Sequence, residues 1–124
     1  MKLKSIFLFV ALSFTVTASA ADRKLFDNHW LFALQDSVTM SSPNFNDNAW
    51  RRLSLPHDWS IEGDFQATNP SGATGGALPG GIAWYRKHFD VPSYDRNKHY
   101  FIDFDGVYMN ASVYLNGHLL GTRP

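Results

Sequence analysis

The side chains best suited to chemistry in this 124-residue chain lie mostly between His57 and Asp105. His57-Asp58 has the form of a general base beside the carboxylate that orients it, a pairing that activates a hydroxyl or thiol nucleophile. The nucleophile is missing: the chain has no Gly-x-Ser-x-Gly elbow and no cysteine. A quieter role fits the same string. Pro56 ends a strand, His57 and Asp58 hold a loop by hydrogen bonds, and Trp59 packs. Paired carboxylates fare no better, because Glu62 is the only glutamate and Asp103 and Asp105 fall on one face of a strand, where a solvated edge is the ordinary outcome. The histidines at 29, 57, 88, 99 and 118 show no metal-ligand spacing; His88 and His99 could be cross-strand neighbours, but no Cys or carboxylate stands at a fixed offset. No dense Asp run suggests a calcium loop, so no metal or cofactor is expected. Trp84-Tyr85-Arg86-Lys87 could present aromatic faces to a sugar ring. Strand Trp and Tyr more commonly bury large areas, with Arg86 and Lys87 laying their stems along the sheet and their charged heads in water. Core packing is therefore the expectation.

Short alternating segments between turn residues must position these groups, since no helical periodicity of useful length and no internal repeat occurs. Trp30-Leu31-Phe32-Ala33-Leu34 puts Trp30, Phe32 and Leu34 on one face. From Asn44 to Leu55 the pattern reads as a turn, with Asn46 or Asp47 able to cap one helical turn, then a short strand ending at Pro56. Glycines and prolines from Glu62 to Gly81 dictate a long loop, functional or mobile at that length. Ile82 to Val91 and His99 to Asp105 read as strands. Val107, Met109, Ala111, Val113 and Leu115 then alternate against Tyr108, Asn110, Ser112 and Tyr114. Asn116-Gly117 is a strong hairpin signal, because a type I′ turn needs positive φ at both central residues. His118 to Thr122 is the returning strand.

Composition narrows the classes. Lys2 and Lys4, the apolar stretch Ile6 to Val16 and Ala18-Ser19-Ala20 form a secretory signal peptide cleaved after Ala20. The apolar run is short and interrupted by Ser13, Thr15 and Thr17, against the roughly 20 residues a membrane-spanning helix needs. A periplasmic or secreted product is expected. Domain organisation is then residues 1–20 as leader and 21–124 as one all-β antiparallel sandwich. Losing Lys2 and Lys4 leaves 9 basic against 11 acidic residues, a net charge of −2. With no basic face, nucleic acid and anionic membrane surfaces are not expected partners.

Four strings in order carry a resemblance: Leu55-Pro56-His57-Asp58-Trp59-Ser60-Ile61, Leu78-Pro79-Gly80-Gly81-Ile82-Ala83-Trp84-Tyr85-Arg86-Lys87, Phe104-Asp105-Gly106-Val107 and Leu115-Asn116-Gly117. Together they resemble the N-terminal sugar-binding domain of family 2 glycoside hydrolases, most closely the bacterial β-galactosidase-like branch, over about residues 26–124. The resemblance implies a jelly-roll, galactose-binding-like β-sandwich. Such a sandwich uses about eight strands, and only five or six are countable here, so the expectation is a truncated domain with unpaired edges, incomplete at its C-terminal end. It also implies a parent glycosidase that cleaves terminal β-galactosyl residues with retention. The two glutamates would lie on a downstream (β/α)₈ barrel of about 250 residues, absent here, so this chain alone should be inactive.

By the same resemblance, the segment would brace the barrel and line one wall of the sugar pocket, with carbohydrate and the downstream domains as its partners. Asn110 is the first candidate substrate-binding residue, since an Asn on this segment helps hold the galactosyl unit in related β-galactosidases. In some members that Asn directly follows Gly-Val, where this chain has Tyr108, so Tyr108 is a second candidate. Arg123, in the terminal Arg-Pro, is a third. Each has a plain solvated-face alternative. Two rival functions stand beside this one: a β-glucuronidase or β-mannosidase of the same family, and a non-catalytic carbohydrate-binding module.

Overall fold

Trp30–Ala33 (β1) is the centre of the larger sheet, and its neighbours explain why it must be apolar on both sides. A computed structural model describes residues 22–108 and 110–124; the expected leader at 1–20 and Met109 lie outside the described residues. β1 pairs antiparallel with Arg51–Leu53 (β2) on one edge and with Trp84–Arg86 (β3) on the other. The registers Leu31↔Arg86 and Ala33↔Trp84 put these four residues on one face. There Leu31 joins Met40 and Trp50 in the buried cluster, with Ala33, Phe45 and Trp84 packed against it. Phe32 points the other way, opposite Arg51 and Tyr85, and is also buried. The single apolar face expected at Trp30, Phe32 and Leu34 is thus replaced by burial on both faces, and Leu34, beyond the strand, is exposed.

The second sheet is a hairpin of Ala111–Leu115 (β4) and His118–Arg123 (β5), with a register irregularity between Val113 and Tyr114. Asn116 and Gly117 have φ of 50° and 83°, as a type I′ turn requires. The turn also packs: a Cβ on Gly117 would stand 3.1 Å from Pro43 Cδ. Tyr114 stacks on Trp84 with ring centroids 5.6 Å apart, tying the hairpin to the first sheet. The fold is all-β and antiparallel, with no α-helix among the described residues and neither sheet closed.

Three expected elements come out differently. Ile82 to Val91 shortens to Trp84–Arg86, because pairing to a four-residue β1 sets the length of its neighbour. His99 to Asp105 forms no ladder among the described residues, and Phe101 is 82% exposed; without a partner strand an apolar run cannot satisfy its backbone as a sheet. The alternating segment becomes regular only at Ala111, because Asn110 takes φ 61° and breaks the extended path. In the 44–50 turn, Asn46 Oδ1 accepts from Asn48 N at 3.2 Å, but the turn does not become a helix.

Arg86 corrects a sequence-based expectation. Its head is not in water: it donates to the carbonyls of Met40 and of Ser42, the latter at 2.8 Å, and its Nε lies 3.5 Å from Asp47 Oδ2. Both side chains are only 13% exposed. The guanidinium also lies 5.7 Å from the ring centroids of Phe45 and Trp50. The reason is register. Arg86 shares a face with Trp84, so the alternation that buries one carries the other toward the core, where two carbonyls and a carboxylate compensate its charge. Lys87 sits 4.5 Å over Phe26 and donates to the Asn28 carbonyl.

Candidate functional site

His57 sits on the far face of β1 from the core, and its partners come from three separate stretches. After Leu53 the chain turns through Pro56 and lays His57 against Phe32 and Tyr85, with ring centroids 5.0 and 5.7 Å away. Arg51 Nη2 lies 2.6 Å from His57 Nε2 and 2.9 Å from Glu62 Oε1. A guanidinium only donates, so Nε2 accepts and Nδ1 carries the proton toward Tyr85 Oη, 2.8 Å away. Glu62 Oε1 is 3.1 Å from the same Nε2, where a doubly protonated ring would donate. Arg51 also lies over the Phe32 ring, 5.0 Å from its centroid.

The electrostatics follow from these contacts. The hydrogen bond from Arg51, and then the adjacent His57 ring, hold the Glu62 carboxyl below its usual range. The hydrogen bond to Glu62 raises the Arg51 guanidinium. Partial burial raises the Tyr85 phenol. Asp58 does not orient His57. Its Oδ1 accepts from Ser60 N at 3.0 Å and Ser60 Oγ at 2.6 Å, capping the short 3₁₀ turn Trp59–Glu62, and those bonds lower its carboxyl. The constellation can hold a loop, but it has no nucleophile and no free base. Just beyond it, a Cβ on Gly63 would stand 2.5 Å from Pro79 Cγ, so only glycine lets the long loop close over this face. Hydrogen bonds Gln66 N→Ala77 O and Ser71 Oγ→Leu78 O fasten that loop to itself.

The aromatic string Trp84-Tyr85 serves packing rather than forming an open platform: Trp84 joins the core cluster, and Tyr85 faces Phe32 and His57. His88 binds Asp47 Oδ2 at 2.7 Å. His99 lies in the irregular stretch, apart from any ladder.

The three candidate sugar-binding residues gather around the entry to the hairpin. Asn110 stands exposed immediately before β4 in a left-handed conformation, φ 61°. That conformation is several-fold enriched for Asn because its short polar side chain tolerates it. Arg123 pairs with Ala111 across the ladder, at the same end of the ribbon as Asn110; it lies within β5 rather than in a turn. Tyr108 is 86% exposed two residues earlier. Sequence reasoning identified these positions but missed Arg51, Glu62 and Tyr85 as partners of His57. The registers Phe32↔Arg51 and Phe32↔Tyr85 bring Arg51 and Tyr85 to one face, the 3₁₀ turn Trp59–Glu62 carries Glu62 there, and no sequence pattern signalled the meeting.

No family model matches the chain. Several curated proteins are similar over most of it. One is the β-galactosidase BoGH2A of Bacteroides ovatus, 53% identical over 114 residues, which are 92% of this chain and 13% of that protein. Another is a putative β-glucuronidase of Formosa agariphila, 46% identical over 99 residues, 80% of this chain and 10% of that protein. Among solved structures, a β-glycosidase from Bacteroides vulgatus superposes with TM-score 0.71 and 45% identity, over 80% of this chain and 13% of that one. A glycosyl hydrolase family 2 member from Bacteroides cellulosilyticus gives 0.63 and 34%, over 79% and 13%. The chain thus spans about an eighth of the length of the proteins it matches.

Proposed function

The sequence and fold of this chain are those of a segment of the family 2 glycoside hydrolases, and from that premise we propose that it is the N-terminal jelly-roll sandwich of an exported β-galactosidase. The observation that carries the sugar is the 53% identity to the Bacteroides ovatus β-galactosidase across 92% of the chain. The complete enzyme removes terminal β-galactosyl residues with retention. One carboxyl attacks the anomeric carbon while a second protonates the leaving oxygen; the second then takes a proton from water, which attacks the anomeric carbon, breaks the glycosyl-enzyme ester and frees the sugar. Glu62 is the only glutamate here and is bonded to Arg51 and His57, so both catalytic carboxyls come from elsewhere in the polypeptide. This segment braces the catalytic domain and offers Asn110, Tyr108 and Arg123 to one wall of the pocket. The left-handed backbone of exposed Asn110, immediately before β4, supports the assignment, because it sets this residue apart from the regular ribbon that follows. The leader at 1–20 directs export, with Ala21 as the mature N-terminus.

A second reading, a β-glucuronidase, is favoured by the 46% identity to the Formosa agariphila protein. The test is turnover by the full-length polypeptide of nitrophenyl β-galactoside against nitrophenyl β-glucuronide. A large preference for the galactoside is expected; the reverse preference selects the second reading, and hydrolysis of neither removes both. Residues 21–124 alone should hydrolyse nothing, and mass spectrometry of the exported product should find Ala21 at its start.

A further inference from the structure

One imidazole nitrogen, His57 Nε2, faces two groups with opposite demands. Arg51 Nη2 approaches to 2.6 Å and can only donate, whereas the ionised Glu62 Oε1 stands at 3.1 Å and can only accept. A neutral ring protonated on Nδ1 satisfies the guanidinium, and a doubly protonated ring satisfies the carboxylate. No single protonation state satisfies both. We propose that this cluster is a proton-driven latch: when His57 takes up a second proton, Nε2–H donates to Glu62 and Arg51 is released to solvent.

The geometry fixes which partner moves. The His57 side chain is only 11% exposed; its ring lies against Phe32 of β1 and Tyr85 of β3, and its Nδ1–H keeps Tyr85 Oη in either state. Arg51 is 49% exposed on edge strand β2 and has room to swing outward. Two cationic donors cannot share a 2.6 Å approach. The Arg51 bonds to His57 and to Glu62 both leave from Nη2, so withdrawing that nitrogen from the protonated ring breaks both at once. The ionisable groups facing the ring are Arg51 from β2, Tyr85 from β3, and Glu62 and Asp58 from the turn that follows His57; β1 contributes only Phe32. Asp58 is occupied by Ser60, which leaves Glu62 as the acceptor. Imidazole changes charge between pH ~5 and ~8, above the ordinary carboxylate range, so that acceptor is in place when the proton arrives. In acid the entry to the 62–81 loop keeps His57 and loses Arg51, and β2 gains a free guanidinium. The inference goes beyond the proposed hydrolysis and stands on the contacts of His57.

The experiment is arginine modification of the full-length polypeptide with phenylglyoxal, stopped at low conversion at about pH 8 and about pH 5.5 and read by fragment-ion mass spectrometry. Arg52, the exposed next residue of β2, is the internal standard, so the reagent's own pH dependence cancels in the Arg51:Arg52 ratio. That ratio should rise about tenfold in acid, the scale of one hydrogen bond to a charged group. His57→Gln keeps a carbonyl acceptor for Arg51 and takes up no proton, so its ratio should be the same at both values. A wild-type ratio that does not change with pH overturns the latch, whatever the variant does, and so does an equal rise in His57→Gln. Hydrolysis plays no part in the readout, so neither result bears on the glycosidase reading, which the nitrophenyl glycoside assay decides.

Discussion

Arg86→Met isolates the most consequential polar contact of the fold. The substitution keeps an unbranched stem against Phe45 and Trp50 and removes the charge together with its hydrogen-bond donors. Arg86 donates to the Met40 and Ser42 carbonyls and pairs with Asp47, both side chains being 13% exposed. Hydrogen bonds from a charged donor are worth ~1.5–3 kcal/mol each, and splitting a buried pair costs ~3–5 kcal/mol. Asp47 keeps His88 at 2.7 Å, and the remaining exposure admits some water, so the low end applies, ~3 kcal/mol. At ~1.4 kcal/mol per tenfold, local opening of the 38–50 segment becomes ~100-fold more frequent.

Native-state hydrogen exchange on the full-length polypeptide reads this directly. The reporters are the Met40, Ser42, Phe45 and Trp50 amides, bonded to the Ser37, Thr39, Ser42 and Asp47 carbonyls. The Ala77 amide, bonded to Gly72, should not change. Arg52→Met, at an exposed position of β2, should stay within about 0.5 kcal/mol of wild type. If the four reporters exchange in Arg86→Met at wild-type rates, or equally fast in Arg52→Met, then Arg86 is not the clamp described here.

Other outcomes are expected. The Glu62 carboxyl is held below its ordinary value by Arg51 and then His57, so its stabilisation is full above the ordinary carboxylate range near ~4.3 and is lost as pH falls through the lower folded value. Asp58 shifts the same way through Ser60. Exchange of the 57–63 amides should accelerate below that range in wild type, and Glu62→Gln should flatten the profile; an unchanged profile would rule out the Arg51–His57–Glu62 contacts as its source. Asn110→Gly preserves the left-handed backbone at φ 61° and removes only the amide, so kcat/KM for galactosides should fall about 10- to 100-fold, the scale of one or two lost hydrogen bonds, with folding intact by circular dichroism. Gly117→Ala places a Cβ at φ 83° and 3.1 Å from Pro43 Cδ, costing ~1–2 kcal/mol; thermal scans should show a lower melting midpoint, whereas an unshifted one would mean the turn has room.

What the sequence made legible was local. Asn116-Gly117 dictated its turn because both φ values are intrinsic to those two residues. Pro56-His57-Asp58 read correctly as a loop fastener, since Asp58 caps the turn immediately after it. Arg86 was misread because its acceptors at Met40, Ser42 and Asp47 are dozens of residues away along the chain, and nothing in Trp84-Tyr85-Arg86-Lys87 marks which face will be buried. The His57 partners were hidden similarly: Arg51 and Tyr85 reach the ring only because both pair with Phe32 from opposite sides of β1. The stretch 99–105 has a strand's composition without a ladder, and composition alone cannot supply a pairing partner. For Asn110, Tyr108 and Arg123, family resemblance rather than patterning singled them out.

Arg86-Lys87 would ordinarily be a preferred cut site for trypsin-like proteases, whose specificity pocket must swallow one long basic side chain whole. Here the first side chain is threaded between two carbonyls and a carboxylate, and the second is clasped over Phe26 and Asn28. Cleavage would require β3 to peel from β1 before the enzyme could engage. Digestion at this dibasic pair therefore counts unfolding events, whereas the side chain of Arg52 in β2 is already exposed and needs no such release.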